Sequence, residues 1–264
     1  LIVLGHADLI TSNQINELKD DYPNVRIGQW FLDPLNPRGP DYSRNKDRIL
    51  DKIDSVDATF VTTSPSVLNF LKKKEKSFYI PNPRDKSFET LNNFNRSCNV
   101  DVFFALSHGV HRGVLKSGKT DDRILFLNSL KLNTPNVKFD IYGIDRVQPI
   151  WADHYFKTIS NAKMGLNLSR GEAIKYYSSD RITQIVGNGL VCLIDEKTSY
   201  RNFFNNNEMV FYKDVNDLSE KILKISSDER LRKRIARSGK TKYMKYFNSD
   251  LVSEYIIDKT LDIK

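Results

Sequence analysis

Basic and imidazole side chains are concentrated in one glycine-containing segment, residues 107–120 (SHGVHRGVLKSGKT). The segment follows an apolar run of strand length and precedes a helix-length stretch. Glycines let the backbone approach an anion closely, and guanidinium and ammonium groups neutralise phosphate. The segment therefore predicts a diphosphate site, and the residues assigned to it are His108, Arg112, Lys116 and Lys119. A solvated basic loop is the alternative interpretation.

Residues 113–120 of this segment also match the spacing of a phosphate-binding P-loop, Gly-x-x-x-x-Gly-Lys-Thr. The first glycine, however, lies well beyond the end of the predicted strand, whereas a P-loop follows its strand directly. The one apolar run that ends in an aspartate at a suitable place is 190–195. A P-loop-like nucleotide hydrolase is therefore a minor alternative.

A second polar constellation lies in residues 168–190, between a predicted strand and the next one. Ser178, Ser179 and Asp180 are helix-capping residue types, so the N–H groups of a helix over 180–187 would face a ligand. Arg181 and Gln184 are three residues apart and share one face of that helix. We assign Tyr177, Ser178, Ser179, Arg181 and Gln184 to ligand binding, with solvated surface as the alternative.

These segments belong to a chain in which strand-length apolar runs alternate with amphipathic stretches, which is typical of βαβ units and parallel sheets. The first series predicts strands over 1–4, 26–31, 58–62 and 77–80, and helices over 12–20, 45–53 and 65–74. The second predicts strands over 100–106, 138–142, 164–168, 190–194 and 209–212, and helices over 121–132, 151–160, 180–187, 200–204 and 217–225. Three polar or basic helices should follow.

The predicted fold class is α/β, with two doubly wound Rossmann-like domains facing a cleft. The proline-rich residues 80–83 predict an extended connector. We place a partial N-terminal domain at 1–95, a ligand-binding domain at 96–249 and a C-terminal helix at 250–264 that packs back on the first domain. Leu251, Tyr255, Ile256 and Leu261 form the predicted apolar stripe of that helix.

Composition excludes several classes of protein. The 264 residues carry 41 Lys and Arg against 33 Asp and Glu, and 39% are hydrophobic, which is ordinary for a globular protein and excludes a disordered or collagen-like chain. No apolar run reaches membrane-spanning length and no signal peptide precedes the first strand, so a cytoplasmic location is expected. Cys98 and Cys192 are far apart in sequence and should be buried free thiols.

Four segments of the chain resemble the C-terminal domain of CgeB-type, group-1-like glycosyltransferases. They are residues 181–195 (RITQIVGNGLVCLID), Phe203-Phe204, residues 208–212 (EMVFY) and a basic helix over 228–239. The resemblance covers about residues 160–247, and the connector 80–83 is similar to the family's interdomain connector. It implies the GT-B fold, with the first domain on the acceptor side.

By this resemblance, the second domain would bind a nucleotide sugar as co-substrate, with no other cofactor. The diphosphate would lie near 107–119 and 178–181, and the ribose near Gln184. The chain departs from the family pattern at two positions. Gln184 stands in place of the ribose-binding glutamate, and Tyr176 stands in place of the earlier glutamate. Glu172, four residues before Tyr176, could substitute only if the loop rearranged. A non-catalytic nucleotide- or glycan-binding module of the same fold is therefore a second hypothesis.

Two strand-end residues of the first domain are candidates for catalysis. If the transfer inverts the anomeric centre, a base must deprotonate the acceptor hydroxyl, and His6 or Asp33 could do so. A loop histidine and a turn-forming aspartate are the structural alternatives. The sequence contains no Asp-x-Asp motif, and His108 and His111 have no carboxylate or cysteine cluster beside them, so no metal site is expected.

The excess positive charge lies at 72–76 and along 230–245. Such helices favour anionic lipid headgroups, so peripheral contact with the inner face of an anionic membrane is expected. The other expected partners, implied by the resemblance, are a nucleotide-sugar donor and a cell-surface glycan or lipid-linked acceptor. No recognised nucleic-acid module accompanies the charge, and nucleic acid is not expected. A solvated basic surface is the alternative.

Overall fold

The computed structural model describes residues 1–39, 41–71, 74–107 and 121–263. The chain divides into two compact units. The first comprises Leu1–Pro83, Gly171–Asp180 and Phe247–Lys264, and the second comprises Arg84–Arg170 and Arg181–Tyr246. The polypeptide therefore enters the second unit, contributes a ten-residue segment to the first unit, and returns.

The first unit is built on a four-stranded parallel sheet in the order β1-β2-β3-β4. Its elements are β1 (Ile2–Leu4), α1 (Ser12–Asp21), β2 (Ile27–Phe31), α2 (Tyr42–Leu50), β3 (Ala58–Val61), β4 (Ser77–Tyr79) and α8 (Ser249–Leu261). Helix α1 begins at a capping box, in which Thr11 accepts from the backbone of Gln14 and the Gln14 side chain accepts from the backbone of Thr11.

The second unit is built on a five-stranded parallel sheet in the order β6-β5-β7-β8-β9. Its elements are β5 (Val100–Ala105), α3 (Asp122–Asn133), β6 (Phe139–Tyr142), α4 (Ala152–Ile159), β7 (Ala162–Asn167), α5 (Arg181–Gly187), β8 (Val191–Asp195), β9 (Val210–Tyr212), α6 (Val215–Ser227) and α7 (Glu229–Tyr246). All nine predicted strands are present among the described residues, which confirms the α/β class with two Rossmann-like units.

Two predicted helices are wrong. Among the described residues of 65–74 there is the 3-10 turn Pro65–Val67 and the first residue of another, Lys74–Lys76, but no α-helix. Leu68 is extended (φ −98°, ψ 92°) and buries its side chain beside Phe31 and Val61. Residues 200–204 form only the 3-10 turn Tyr200–Asn202, entered through Ser199 in the left-handed region (φ 58°). In both places large side chains are buried beside a turn, Leu68 in the first unit and Tyr200 and Phe204 in the second.

Two helices, not three, follow α6 in the described part of the chain. The predicted basic helix over 228–239 continues through Gly239 to Tyr246. A Cβ at Gly239 would lie 2.2 Å from the carbonyl oxygen of Glu208, so the glycine permits a close backbone approach in the middle of α7 rather than ending it.

Helix α8 packs on β2 and β3 of the first unit. Its buried residues are Val252, Ile256 and Thr260, whereas Leu251, Tyr255 and Leu261 of the predicted stripe are each more than a third exposed. Val252 and Ile256 contact a cluster that contains Phe60 and Ile80. The stripe prediction was therefore right only for Ile256, since the buried face lies one residue further along the helix than Leu251 and Tyr255.

The cores of the two units are separate clusters of buried side chains. The largest belongs to the second unit and joins strands β5, β7 and β8 to helices α3, α6 and α7. Cys98 and Cys192 are both buried and free, as the sequence predicted.

Candidate functional site

Arg181 is held at the carboxyl ends of two neighbouring strands in the second unit. Its Nε donates to the carbonyl oxygen of Ala105, at the end of β5, at 2.9 Å. Its Nη1 donates to the carbonyl oxygen of Leu168 at 3.3 Å and to Oδ1 of Asn167 at 3.4 Å, at the end of β7. These oxygens are neutral, so the contacts orient the guanidinium without cancelling its charge.

The ring of Phe104 supports the same side chain. The guanidinium carbon lies 5.0 Å from the ring centroid, and only 9% of Arg181 is exposed. A cation stacked on an aromatic face and partly shielded from water attracts an anion more strongly than an exposed cation does. The ends of parallel strands are also the usual place for ligands in open α/β sheets.

Gln184 lies one turn beyond Arg181 on α5. Its side-chain oxygen accepts a hydrogen bond from the hydroxyl of Tyr155 in α4. The Tyr155 ring in turn packs edge-on against Phe103 of β5, with centroids 5.5 Å apart. The side-chain NH₂ of Gln184 donates to no residue in the described ranges, so the amide is oriented with its donor end available to a ligand.

The structure divides the predicted binding set between the two units. Tyr177, Ser178 and Ser179 belong to the first unit and Arg181 and Gln184 to the second. Ser178 is buried, and its carbonyl oxygen accepts from Nδ2 of Asn82 at 2.9 Å. Tyr177 is also buried and closes a turn by donating its N–H to the carbonyl of Ile174 at 3.1 Å.

His108, Arg112, Lys116 and Lys119 lie outside the described residues, and so does the Gly-Lys-Thr end of the P-loop-like match. The aspartate that a P-loop enzyme would need is Asp195, at the end of β8. Its side chain instead accepts from the backbone N–H of Lys197 at 2.8 Å and caps a 3-10 turn. Burial raises the pKa of this carboxyl above its usual range.

His6 and Asp33, predicted from separate strand ends, lie together in the first unit. Nδ1 of His6 is 4.0 Å from Oδ2 of Asp33, and the imidazole stacks on Phe31 with centroids 5.0 Å apart. Because β1 and β2 are parallel neighbours, the loops that follow them meet at one edge of the sheet. At 4.0 Å the two groups make no hydrogen bond, but a carboxylate that bound one ring nitrogen would leave the other to act as a general base.

Arg48 was missed by the sequence analysis. Its guanidinium lies 3.9 Å from Asp33 and forms an ion pair with Asp8, so it links the loops after β1 and β2 to α2. A cavity of about 550 Å³ opens beside this cluster. Its lining alternates acids and bases: Asp8, Arg44, Asp47, Arg48, Asp51 and Lys52.

The signal for Arg48 was present but weak. Arg44, Asp47, Arg48 and Asp51 recur at helical spacing along α2, and such a pattern usually indicates a solvated helix surface. Tyr155 offered no signal, since its partner Gln184 is 29 residues away in sequence.

Metal ligands are not assembled in the parts of the chain that the structure describes: no three His, Cys, Asp or Glu side chains there form a group that could hold an ion. No helix in the same ranges combines the length and the apolar character needed to cross a membrane.

A family model described as glycosyl transferase-like matches residues 123–258, which is just over half of the chain. The matched region begins in α3 and includes α5, and so contains Arg181, Gln184 and Tyr155. No curated protein sequence gives a significant match.

Solved structures share the fold. HepE of Anabaena in complex with UDP-glucose has a TM-score of 0.67 at 9% identity, covering 96% of this chain and 77% of HepE. TarM, known from S. aureus, has a TM-score of 0.66 at 12% identity, covering 98% and 54%. An alpha-glucosyltransferase in complex with UDP and DNA has a TM-score of 0.61 at 14% identity, covering 98% and 80%. The chain thus has the GT-B fold class and spans about half the length of TarM.

Proposed function

The chain belongs to the glycosyl transferase-like family, and from that premise we propose that it transfers a sugar from a nucleotide-sugar donor to a glycan acceptor. The observation that carries the proposal is the Arg181 guanidinium, stacked on Phe104 and fixed at the carboxyl ends of β5 and β7. A guanidinium binds the oxygens of phosphate groups strongly, so a diphosphate fits this position.

In this proposal the donor lies on the second unit. Arg181 binds the diphosphate together with the basic segment that contains Arg112, Lys116 and Lys119. Gln184 donates its amide N–H to a ribose hydroxyl oxygen. The glutamate of the family pattern would instead accept a hydrogen bond from that hydroxyl, and either side chain makes one hydrogen bond to the ribose. HepE and the alpha-glucosyltransferase both hold UDP in their crystal structures, which makes a UDP-sugar the first donor to test.

The acceptor lies on the first unit, in the cavity beside His6 and Asp33. Carboxylates and cations that alternate around a cavity can accept from and donate to the many hydroxyl groups of a saccharide. His6 takes the proton of the attacking hydroxyl, and Asp33 stabilises the resulting imidazolium. The acceptor oxygen bonds to the anomeric carbon as the bond to the diphosphate breaks, and the electron pair leaves with the nucleotide. This direct displacement with His6 as the base would invert the anomeric configuration, and retention would rule the role of His6 out.

The acceptor in this proposal is a cell-surface glycan or its lipid-linked precursor, and the sugar is transferred to it at the inner face of a membrane. The two buried free thiols suit a reducing compartment. Helix α7 exposes Arg230, Arg234, Arg237 and Lys245, a charge distribution that favours peripheral contact with anionic lipid.

Calorimetric titration with UDP-, GDP-, dTDP- and CMP-sugars tests the donor. We expect one nucleotide class to bind and the Gln184→Leu variant to bind it more weakly. If no nucleotide sugar binds, the proposal fails.

Turnover is measured separately, as release of the free nucleotide with an oligosaccharide acceptor. Binding without release in the presence of a range of acceptors would favour the second hypothesis, a non-catalytic binding module. Its support is Gln184, which stands where the family resemblance implies a glutamate.

A further inference from the structure

A second cavity, of about 440 Å³, lies on α7 in the second unit and has no part in the proposed transfer. We call it the α7 groove. Its lining comprises Glu208 and six residues of α7: Arg237, Ser238, Thr241, Lys242, Lys245 and Tyr246. The six α7 residues recur at spacings of three and four, so they present one face of the helix.

The charge in the α7 groove is unbalanced. Lys242 pairs with Glu208 at 2.9 Å. Among the described residues, no carboxylate lies within ion-pair distance of Arg237 or Lys245. The groove therefore holds three cations and one carboxylate, and its net charge attracts an anion.

Two of these cations lie over aromatic rings. The Arg237 guanidinium lies 5.2 Å from the centroid of Phe94 and donates to Oδ1 of Asn95 at 3.3 Å. The Lys245 ammonium lies 5.0 Å from the centroid of Tyr246. Cations that are already positioned lose less conformational entropy when they bind, so this arrangement favours binding over diffuse attraction.

Two hydroxyl groups lie between the cations. Neither Ser238 nor Thr241 makes a side-chain hydrogen bond within the described ranges, although hydroxyls on helices commonly bond to the carbonyl four residues earlier. Cations flanking unpaired hydroxyl donors match the oxygens of a phosphate group, which accept several hydrogen bonds and carry negative charge.

We propose that the α7 groove is a binding site for a phosphate group, separate from the donor site. The group can come from two sources with the same chemistry, a phospholipid headgroup or a soluble phosphate ester. Arg237 and Lys245 contact neither donor nor acceptor in the proposed reaction, and only the phospholipid source rests on the membrane contact of the proposed function.

The test uses the full chain without donor or acceptor. One arm measures co-sedimentation with vesicles of phosphatidylglycerol and phosphatidylcholine, with pure phosphatidylcholine vesicles as the reference. The other arm titrates glycerol phosphate and inorganic phosphate by calorimetry. The variant is Arg237→Gln with Lys245→Gln, which leaves the Lys242–Glu208 ion pair intact.

The matched control is Arg230→Gln with Arg234→Gln. It removes the same charge from exposed positions of the same helix, outside the groove. Circular dichroism checks that both variants fold.

We expect binding in at least one arm to fall tenfold or more in the groove variant and to fall much less in the control, whose two arginines contribute only diffuse attraction to anionic lipid. The arm that shows binding identifies the source of the phosphate. An equal loss in both variants would mean diffuse charge attraction and would overturn the proposal. So would the absence of binding in both arms.

Discussion

The hydroxyl of Tyr155 donates to the side-chain oxygen of Gln184 and thereby fixes which end of that amide faces outward. A free glutamine side chain could rotate to present either its oxygen or its NH₂ group. With its oxygen already accepting from Tyr155, Gln184 turns its NH₂ group outward, and that group is a donor for a ligand. A ligand beside Gln184 would therefore meet a donor, whereas the glutamate implied by the family resemblance would be an acceptor.

Replacing Gln184 with Leu keeps the bulk of the side chain and removes both hydrogen-bonding groups. We expect ribonucleotide binding to weaken by about 1–2 kcal/mol. A 2′,3′-dideoxy donor has no hydroxyl to lose there, so it should bind the variant and the wild type equally. Calorimetry with both donors measures the difference, and an equal weakening of the two would show that Gln184 only packs α5.

Tyr155→Phe provides the companion variant. It retains the ring that packs against Phe103 and frees the Gln184 oxygen. We expect a smaller loss of ribonucleotide affinity than in Gln184→Leu, since the amide remains but is no longer oriented.

Arg181→Ala should weaken donor binding by about 1.5–3 kcal/mol, because it removes a charge-assisted contact with the diphosphate. The same change leaves the Ala105 and Leu168 carbonyls without their donor, so the melting temperature should also fall. Calorimetry and thermal melts separate the two effects. Arg201→Ala is the control, since that arginine also stacks on a ring, Phe211 at 4.4 Å. Unchanged nucleotide affinity in Arg181→Ala would defeat the placement of the diphosphate.

The sequence predicted the strands well because each is a compact apolar run bounded by polar residues, and burial in parallel sheets requires that composition. It predicted less well wherever packing overrides local preference. Leu68 lies at helical spacing in the sequence but is extended in the structure, and Gly239 resembles a helix end but lies inside α7. His6 and Asp33 could be predicted as strand-end residues, yet their 4.0 Å approach depends on the parallel register of β1 and β2. Arg48 could not be distinguished from the other charges of α2 without that register.

His6→Ala should lower the turnover rate by about 10²–10⁴-fold, as expected for the loss of a general base, with little change in donor affinity. Asp33→Asn should lower the rate less, because the imidazole remains. His154→Ala, at an exposed position of α4, is the control. The anomeric configuration of the product, read by NMR, should be inverted. A product of retained configuration would remove the need for a base and exclude this role for His6.

Turnover should not require a divalent ion, because basic side chains neutralise the leaving diphosphate in the proposed mechanism. Activity should therefore persist after dialysis against EDTA. If magnesium or manganese restored an activity that EDTA had abolished, the proposed counter-charge would be insufficient.

Lys240 makes the stability of the second unit depend on pH. Its side chain is 7% exposed and donates to the carbonyl of Leu91 at 2.6 Å and to Oδ1 of Asn92 at 2.9 Å. Burial, with the nearby Arg84 charge, lowers the pKa of Lys240 to about 8 from 10.5. The folded protein thus releases this proton at a lower pH than the unfolded chain does.

Between about pH 8 and pH 10.5 the unfolded chain therefore binds more protons at Lys240, and the free energy of unfolding that this group contributes rises with pH. The rise is at most about 1.4 kcal/mol per pH unit. The experiment compares urea unfolding of the wild type and Lys240→Met from pH 7 to pH 10.5, because the difference between them cancels the titration of tyrosines and cysteines common to both. Lys224→Met, at an exposed position of α6, controls for the loss of one positive charge. We expect the wild type to gain stability relative to Lys240→Met as the pH rises above 8, and parallel curves would show that the Lys240 ammonium is not destabilised by its surroundings.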